Sequence, residues 1–119
     1  MSKWEPCEGF WKSRGLPEPE TEFQFYEWRQ WRFDFCWKTK RVAVEVEGGT
    51  WMGGGFGGHN RGSGMVRDMA KYNFATRKGW RIYRFTPGQL EKDMEADSYP
   101  KSYKGRREKV SEFLREVLK

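Results

Sequence analysis

RFDFCWKTKRVAVEVEGG, residues 32–49, decides the fold: two apolar segments flank the polar turn Lys38-Thr39-Lys40, and three carboxylates interrupt them. Alternation with period two predicts antiparallel strands over 31–37 and 41–48. On that period Trp31, Phe33, Phe35 and Trp37 share one face, opposite Arg32, Asp34 and Cys36. Val42, Val44 and Val46 likewise lie opposite Ala43, Glu45 and Glu47. If the apolar faces of these hairpin partners join, Asp34, Glu45 and Glu47 converge on the other face. Desolvating an unpaired carboxylate is costly. The three acids are therefore either a solvated face paired with Arg32 and nearby lysines, or ligands for a hard divalent cation such as Mg2+.

Working outward, FQFYEW (23–28) alternates in the same way and adds a first strand, which makes a three-stranded meander. Before it, Trp4, Phe10 and Trp11 predict a short amphipathic helix over 4–15, stopped by Gly15 and followed by Pro17 and Pro19. After the meander, 48–64 is a long glycine-rich loop, and MVRDMAKYNFATRK (65–78) predicts a helix closed by Gly79. WRIYRFTP (80–87) reads as a fourth strand ended by Pro87, returning beside an earlier strand by a crossover through that helix. Residues 88–107 are irregular or partly helical, and Val110, Phe113, Leu114, Val117 and Leu118 mark a terminal amphipathic helix. The order α-β-β-β-α-β-α over 1–119 predicts a single α/β domain whose mixed central sheet is flanked by helices.

Composition narrows the function. The chain has 23 lysines and arginines against 17 acids, a net charge of +6. The surplus is uneven: residues 1–60 hold 8 basic and 9 acidic side chains, residues 61–119 hold 15 and 8. Acids able to bind metal thus fall in the first half and the cationic excess in the second, a distribution suited to nucleic acid ahead of a membrane surface. No apolar run reaches the roughly 20 residues that span a bilayer, and MSKWEPCEGFW lacks the apolar core of a signal peptide, so a cytoplasmic protein is expected. Cys7 and Cys36 read as two buried thiols, and His59 alone cannot build a histidine metal site.

The loop GGTWMGGGFGGHNRGSG fits neither a Walker loop nor a dinucleotide fingerprint. It reads as a basic-aromatic finger in which Trp51 or Phe56 stacks on an unpaired base while His59 and Arg61 meet phosphate. Arg67, Lys71, Arg77, Lys78, Arg106 and Arg107 extend the cationic surface. Phosphate contacts of this kind are independent of sequence and sensitive to salt. Nothing matches a base-reading helix, which favours recognition of DNA structure over sequence.

Asp34, the turn, Glu45-Val46-Glu47, the crossover helix and GWRIYRFTP together resemble the PD-(D/E)XK nuclease superfamily. Within it the chain is similar to small endonuclease-like domains and to Holliday-junction resolvases of archaeal and phage type, over roughly residues 5–90. The resemblance implies a restriction-endonuclease-like core, with Asp34 and Glu45 as metal-binding acids. Glu47 stands where the motif has lysine, a departure for which Lys71 on the following helix is the substitute cation, with Arg67 one turn earlier. Glu8, in competition with Glu5 and Glu20, maps to a glutamate of the first helix. The implied activity is hydrolysis of DNA phosphodiesters with one or two Mg2+ ions, or Mn2+, held by Asp34, Glu45 and Glu47. A four-way junction is two-fold symmetric, so its resolvase is expected to be a homodimer. A nicking or mismatch-repair endonuclease of the same superfamily, and a DNA-binding module on a dead nuclease fold, are the alternatives.

Overall fold

The computed structural model describes residues 4–47, 61–96 and 108–119, with side chains from residue 65 onward in the middle segment. Elements follow in the order α1 (Phe10–Ser13), β1 (Glu20–Gln24), β2 (Arg32–Trp37), β3 (Val42–Val46), α2 (Arg61–Arg77), β4 (Arg81–Phe85), α3 (Pro87–Glu91) and α4 (Val110–Val117). One mixed sheet runs β1-β2-β3-β4, antiparallel except for the parallel pair β3–β4 that α2 connects. The expected meander, crossover and helix-flanked α/β sheet are all present. No helix among the described residues is long and apolar enough to cross a membrane.

Two glycines set the helix ends. Gly79, at φ 92°, closes α2: its own N–H reaches Thr76 O at 2.9 Å and Trp80 N–H reaches Ala75 O at 3.0 Å. Gly15, at φ 74°, repeats the pattern after α1 with Gly15 N–H to Lys12 O and Leu16 N–H to Trp11 O, both 3.0 Å. This is the Schellman arrangement, whose left-handed residue disfavours a Cβ.

Two apolar layers sandwich the sheet. On one side Phe10, Trp11 and Leu16 pack with Phe35, Trp37, Val42, Val44, Phe85, Leu90 and Leu114. On the other, Phe33, Cys36 and Ala43 meet Trp80 and the buried Ala75 of α2. The terminal helix buries Val110, Leu114 and Leu118 at the expected spacing.

Several expectations need correction. The first helix is confined to 10–13 rather than 4–15, because Gly9 at φ 79° breaks helical geometry ahead of it and Pro6 lacks an N–H. Trp4 instead lies outside the helix, edge-on to Phe10 and Phe35, with Nε1 donating to Glu91 Oε2 at 3.1 Å. The first strand is Glu20–Gln24, not 23–28; Phe25 and Tyr26 already belong to the connection and stack on Trp31. Helix α2 begins at Arg61, which moves that residue out of the expected loop and into a first helical turn. Pro87 ends β4 by opening α3 behind the cap of Thr86, whose Oγ1 accepts from Gln89 N at 3.1 Å while Gln89 Oε1 accepts from Thr86 N at 3.0 Å. Thr86→Ala is expected to cost about 1 kcal/mol, read as a lower urea midpoint, with Thr86→Ser close to wild type. Cys36 is buried as expected, its thiol pushed up to about 11 by burial and then by Glu20, but Cys7 is exposed.

The most consequential correction concerns strand faces. Phe33 does not share a face with Phe35 and Trp37; it joins Cys36, Ala43 and Trp80 beneath α2. Alternation slips by one residue at Asp34. The β1–β2 register pairs Thr21 with Phe35 and Phe23 with Phe33, which sets Glu22 opposite Asp34, and Glu22 has φ 49°. The strands stay paired one to one across this point, so the change of face follows the left-handed backbone at Glu22 and not an extra residue in either strand.

Candidate active site

The slip at Asp34 is also where the sheet forks. The β2–β3 ladder ends at Phe35↔Val44, whereas β3 stays paired with β4 through Val46↔Phe85 and β2 with β1 through Arg32. Side chains replace backbone across the gap. Asp34 N–H donates to Glu45 Oε2 at 2.9 Å, and Val46 N–H donates to Asp34 Oδ2 at 2.8 Å. Each acid thus closes a bond that the neighbouring strand's carbonyl would otherwise accept, and the pair is fixed in place by the fork.

Helix α2 completes the environment of Glu45. Lys71 and Tyr72 face the sheet, one turn before Ala75, whose small side chain lets the helix approach Trp80. Lys71 Nζ donates to Glu45 Oε1 at 3.1 Å and Tyr72 Oη donates to the same oxygen at 3.0 Å. Glu45 is 6% exposed, and burial raises its pKa above the ordinary carboxylate value. Lys71 and the Asp34 N–H pull it back down, while the Asp34 charge adds to the rise. Burial and then the Glu45 charge push the Tyr72 phenol upward, so it remains a donor.

Glu47 is differently placed. Its N–H continues the β3–β4 ladder to Phe85 O at 2.9 Å, and its carboxylate meets Arg84 Nε at 3.7 Å. The β3–β4 register sets Arg84 beside Glu45, and the guanidinium lies 4.0 Å over the Tyr72 ring. About half of the Arg84 side chain is exposed, so this ion pair contributes under about 1 kcal/mol and yields easily to another anion.

Of the expected site residues, Asp34, Glu45 and Lys71 come together, and Glu47 joins them at the edge through Arg84 and Tyr72. No three His, Cys, Asp or Glu side chains form a metal-ligand set among the described residues. Glu8 is exposed in the turn that enters α1, a helix packed on the sheet face opposite α2. Arg67 and Arg77 are exposed on α2; Lys78 follows it, its Nζ 5.4 Å over the Phe74 ring. Arg61 lies in the first turn of α2. Trp51, Phe56, His59, Arg106 and Arg107 lie outside the described residues.

No family model, curated protein or solved structure matches the chain. The resemblance to PD-(D/E)XK nucleases accordingly rests on the sequence motifs alone.

Two members of the arrangement escape the sequence reading. Arg84 had a usable signal: it shares a face with Ile82 along β4, and a parallel return beside β3 brings it next to Glu45. Tyr72 had none, because its position on a helix does not reveal that it faces the sheet together with Lys71.

Proposed function

We propose that the chain is a Mg2+-dependent, structure-selective DNA endonuclease, specifically a Holliday-junction resolvase acting as a homodimer, with Mn2+ able to replace Mg2+. One observation carries the reading: a buried lysine–carboxylate pair, Lys71–Glu45 at 3.1 Å, is coupled to a second acid at a fork in a mixed sheet. The donor chemistry suits the ion, because Mg2+ is commonly held by one or two carboxylates together with substrate phosphate and water. Asp34 and Glu45 would hold it, and when bound it would supply charge neutralisation at the phosphate and an activated water.

The protein's own groups have separate tasks. Lys71 offsets the Glu45 charge in the absence of substrate and supplies a cation for a phosphate oxygen in its presence. The protonated Tyr72 fixes the orientation of the Glu45 carboxylate. Arg84, restrained only by a half-exposed pair with Glu47, turns to a neighbouring phosphate. Exposed Arg67, Arg77 and Lys78 extend a sequence-independent contact with the DNA backbone. Departure of the motif lysine from position 47 is balanced in this reading by a lysine arriving from α2.

A second reading, a DNA-binding module without catalysis, draws on a specific feature: Glu45 and Asp34 already accept hydrogen bonds from Lys71, Tyr72 and two backbone N–H groups. Cleavage of a labelled four-way junction and of matched linear duplex, in Mg2+ or EDTA, by wild type and Glu45→Gln separates the two. Paired metal-dependent cuts confined to the junction and lost in the variant are the expected result. Binding without cleavage in Mg2+ or Mn2+ would establish the second reading, and nicks in linear duplex would point to a nicking enzyme instead of a resolvase.

A further inference from the structure

The connection from β1 to β2 carries the most exposed large apolar side chain among the described residues, Trp28 at 75%. A lone surface tryptophan would need no explanation, but this one is held outward by a built turn. Gln24 Nε2 donates to Tyr26 O at 3.2 Å and to Arg29 O at 2.7 Å, which pins the backbone on both sides of Trp28. The rings that flank it in this connection and the start of β2 are arranged unlike those of the opposite layer. Phe25 and Phe33 stack at 4.2 Å and 6°, Phe25 and Trp31 at 6.1 Å and 19°, and Tyr26 and Trp31 at 5.6 Å and 24°. Around Trp4 and Trp11 most pairs are edge-on, at angles such as 78° and 86°. Near-parallel rings make a rigid column, so the turn loses little freedom when a ligand lands on its tip.

The surroundings select the ligand. Arg29 lies 5.6 Å over Trp31, and Arg32 is exposed at the start of β2. Lys78 lies over Phe74, a ring 4.1 Å from Tyr26, and Glu27 is the exposed acid on the turn itself. The cationic excess fits a polyanion with flat bases better than it fits another apolar protein face.

We infer that the β1–β2 turn is a base-stacking site, in which Trp28 takes an unpaired base of DNA while Arg29 and Arg32 hold the flanking phosphates. The inference rests on the nuclease reading for its substrate, and it assigns selectivity for open or branched DNA to this turn. Aromatic stacking accepts any base, so the site would read strand opening and not sequence.

The test is a binding titration in EDTA, free of cleavage, with a duplex carrying 2-aminopurine in a short unpaired loop and with the matched linear duplex. Wild type is expected to quench the probe and to prefer the looped DNA by about tenfold or more. Trp28→Ala, at an exposed position, is expected to lose most of that preference with duplex affinity unchanged, and Trp28→Phe to keep most of it. Retention of the preference in Trp28→Ala, or an equal loss for both DNAs, would overturn the inference. So would conversion of a dimer to a monomer by Trp28→Ala in sedimentation, because the occupant would then be a second copy. Cleavage in Mg2+ is scored separately: an intact preference without cuts defeats the nuclease reading alone, and intact cuts without the preference defeat this one alone.

Discussion

Asp34→Asn is expected to lower DNA cleavage by at least about 10³-fold, a barrier increase of about 4 kcal/mol, while binding to the same DNA holds or tightens. The substitution suits the question because it alters charge with little change of shape. Asp34 Oδ2 accepts from Val46 N at 2.8 Å, and an amide oxygen can accept the same bond; the Asp34 N–H to Glu45 Oε2 does not involve the side chain at all. The fork should therefore survive, which a urea midpoint close to wild type would verify. What disappears is one of the two adjacent negative charges that would hold the proposed divalent cation. The same charge opposes DNA phosphate, so its loss favours binding. It also adds to the upward shift of Glu45, so the Glu45 carboxyl is expected to titrate lower in the variant than in wild type, both in EDTA. Cleavage and binding that fall together, or cleavage that persists, would remove Asp34 from the reaction.

The fork itself was only partly legible in the residues. Strands 32–37 and 42–46 and the parallel return of 81–85 follow from alternation and from a helix placed between the last two. Convergence of Asp34 with Glu45 follows from the same pattern. Phe33, however, lies on the other side from the one alternation predicts, because period two assumes an unbroken strand and Glu22 enters the left-handed region opposite Asp34. A glutamate at φ 49° carries no local signature, since asparagine, aspartate and glycine are the residues that advertise such a position. The slip arises from tertiary demands: the sheet opens there, and side chains close the bonds that backbone leaves unmade. Lys71 could be singled out as a basic residue on the crossover helix, but the partnership of Glu47 with Arg84 depends on the β3–β4 register. Alternation places Trp28 in a strand, whereas β1 ends at Gln24 and leaves Trp28 exposed in the connection.

Lys71→Met separates the structural from the chemical role of the buried pair. Glu45 has its pKa raised in the folded protein, first by burial, and Lys71 is the largest influence holding it down. For a carboxyl whose folded value lies above the unfolded one, the ionised native state is penalised, so stability falls as pH rises from the unfolded value of about 4.3 through the folded one. Removing Lys71 raises the folded value further and leaves a buried carboxylate facing only Tyr72 and one backbone N–H. The side chains of Lys71 and Glu45 are 14% and 8% exposed, so solvent compensates little. Breaking a buried pair from one side costs about 3–5 kcal/mol, and partial exposure of this one brings the expected loss to about 2–4 kcal/mol at pH 8. Below the unfolded carboxylate value, where Glu45 is protonated in either protein, the difference should shrink below about 1 kcal/mol. Urea unfolding in EDTA at the two pH values measures this directly, and Glu45→Gln combined with Lys71→Met should recover much of the loss by making both partners neutral. Equal destabilisation at both pH values would mean that lost packing over Phe33 and Tyr72, and not charge, explains the effect. Cleavage adds the discriminating readout: the double variant, folded and uncharged at this pair, should still be inactive if Lys71 and Glu45 are there for chemistry.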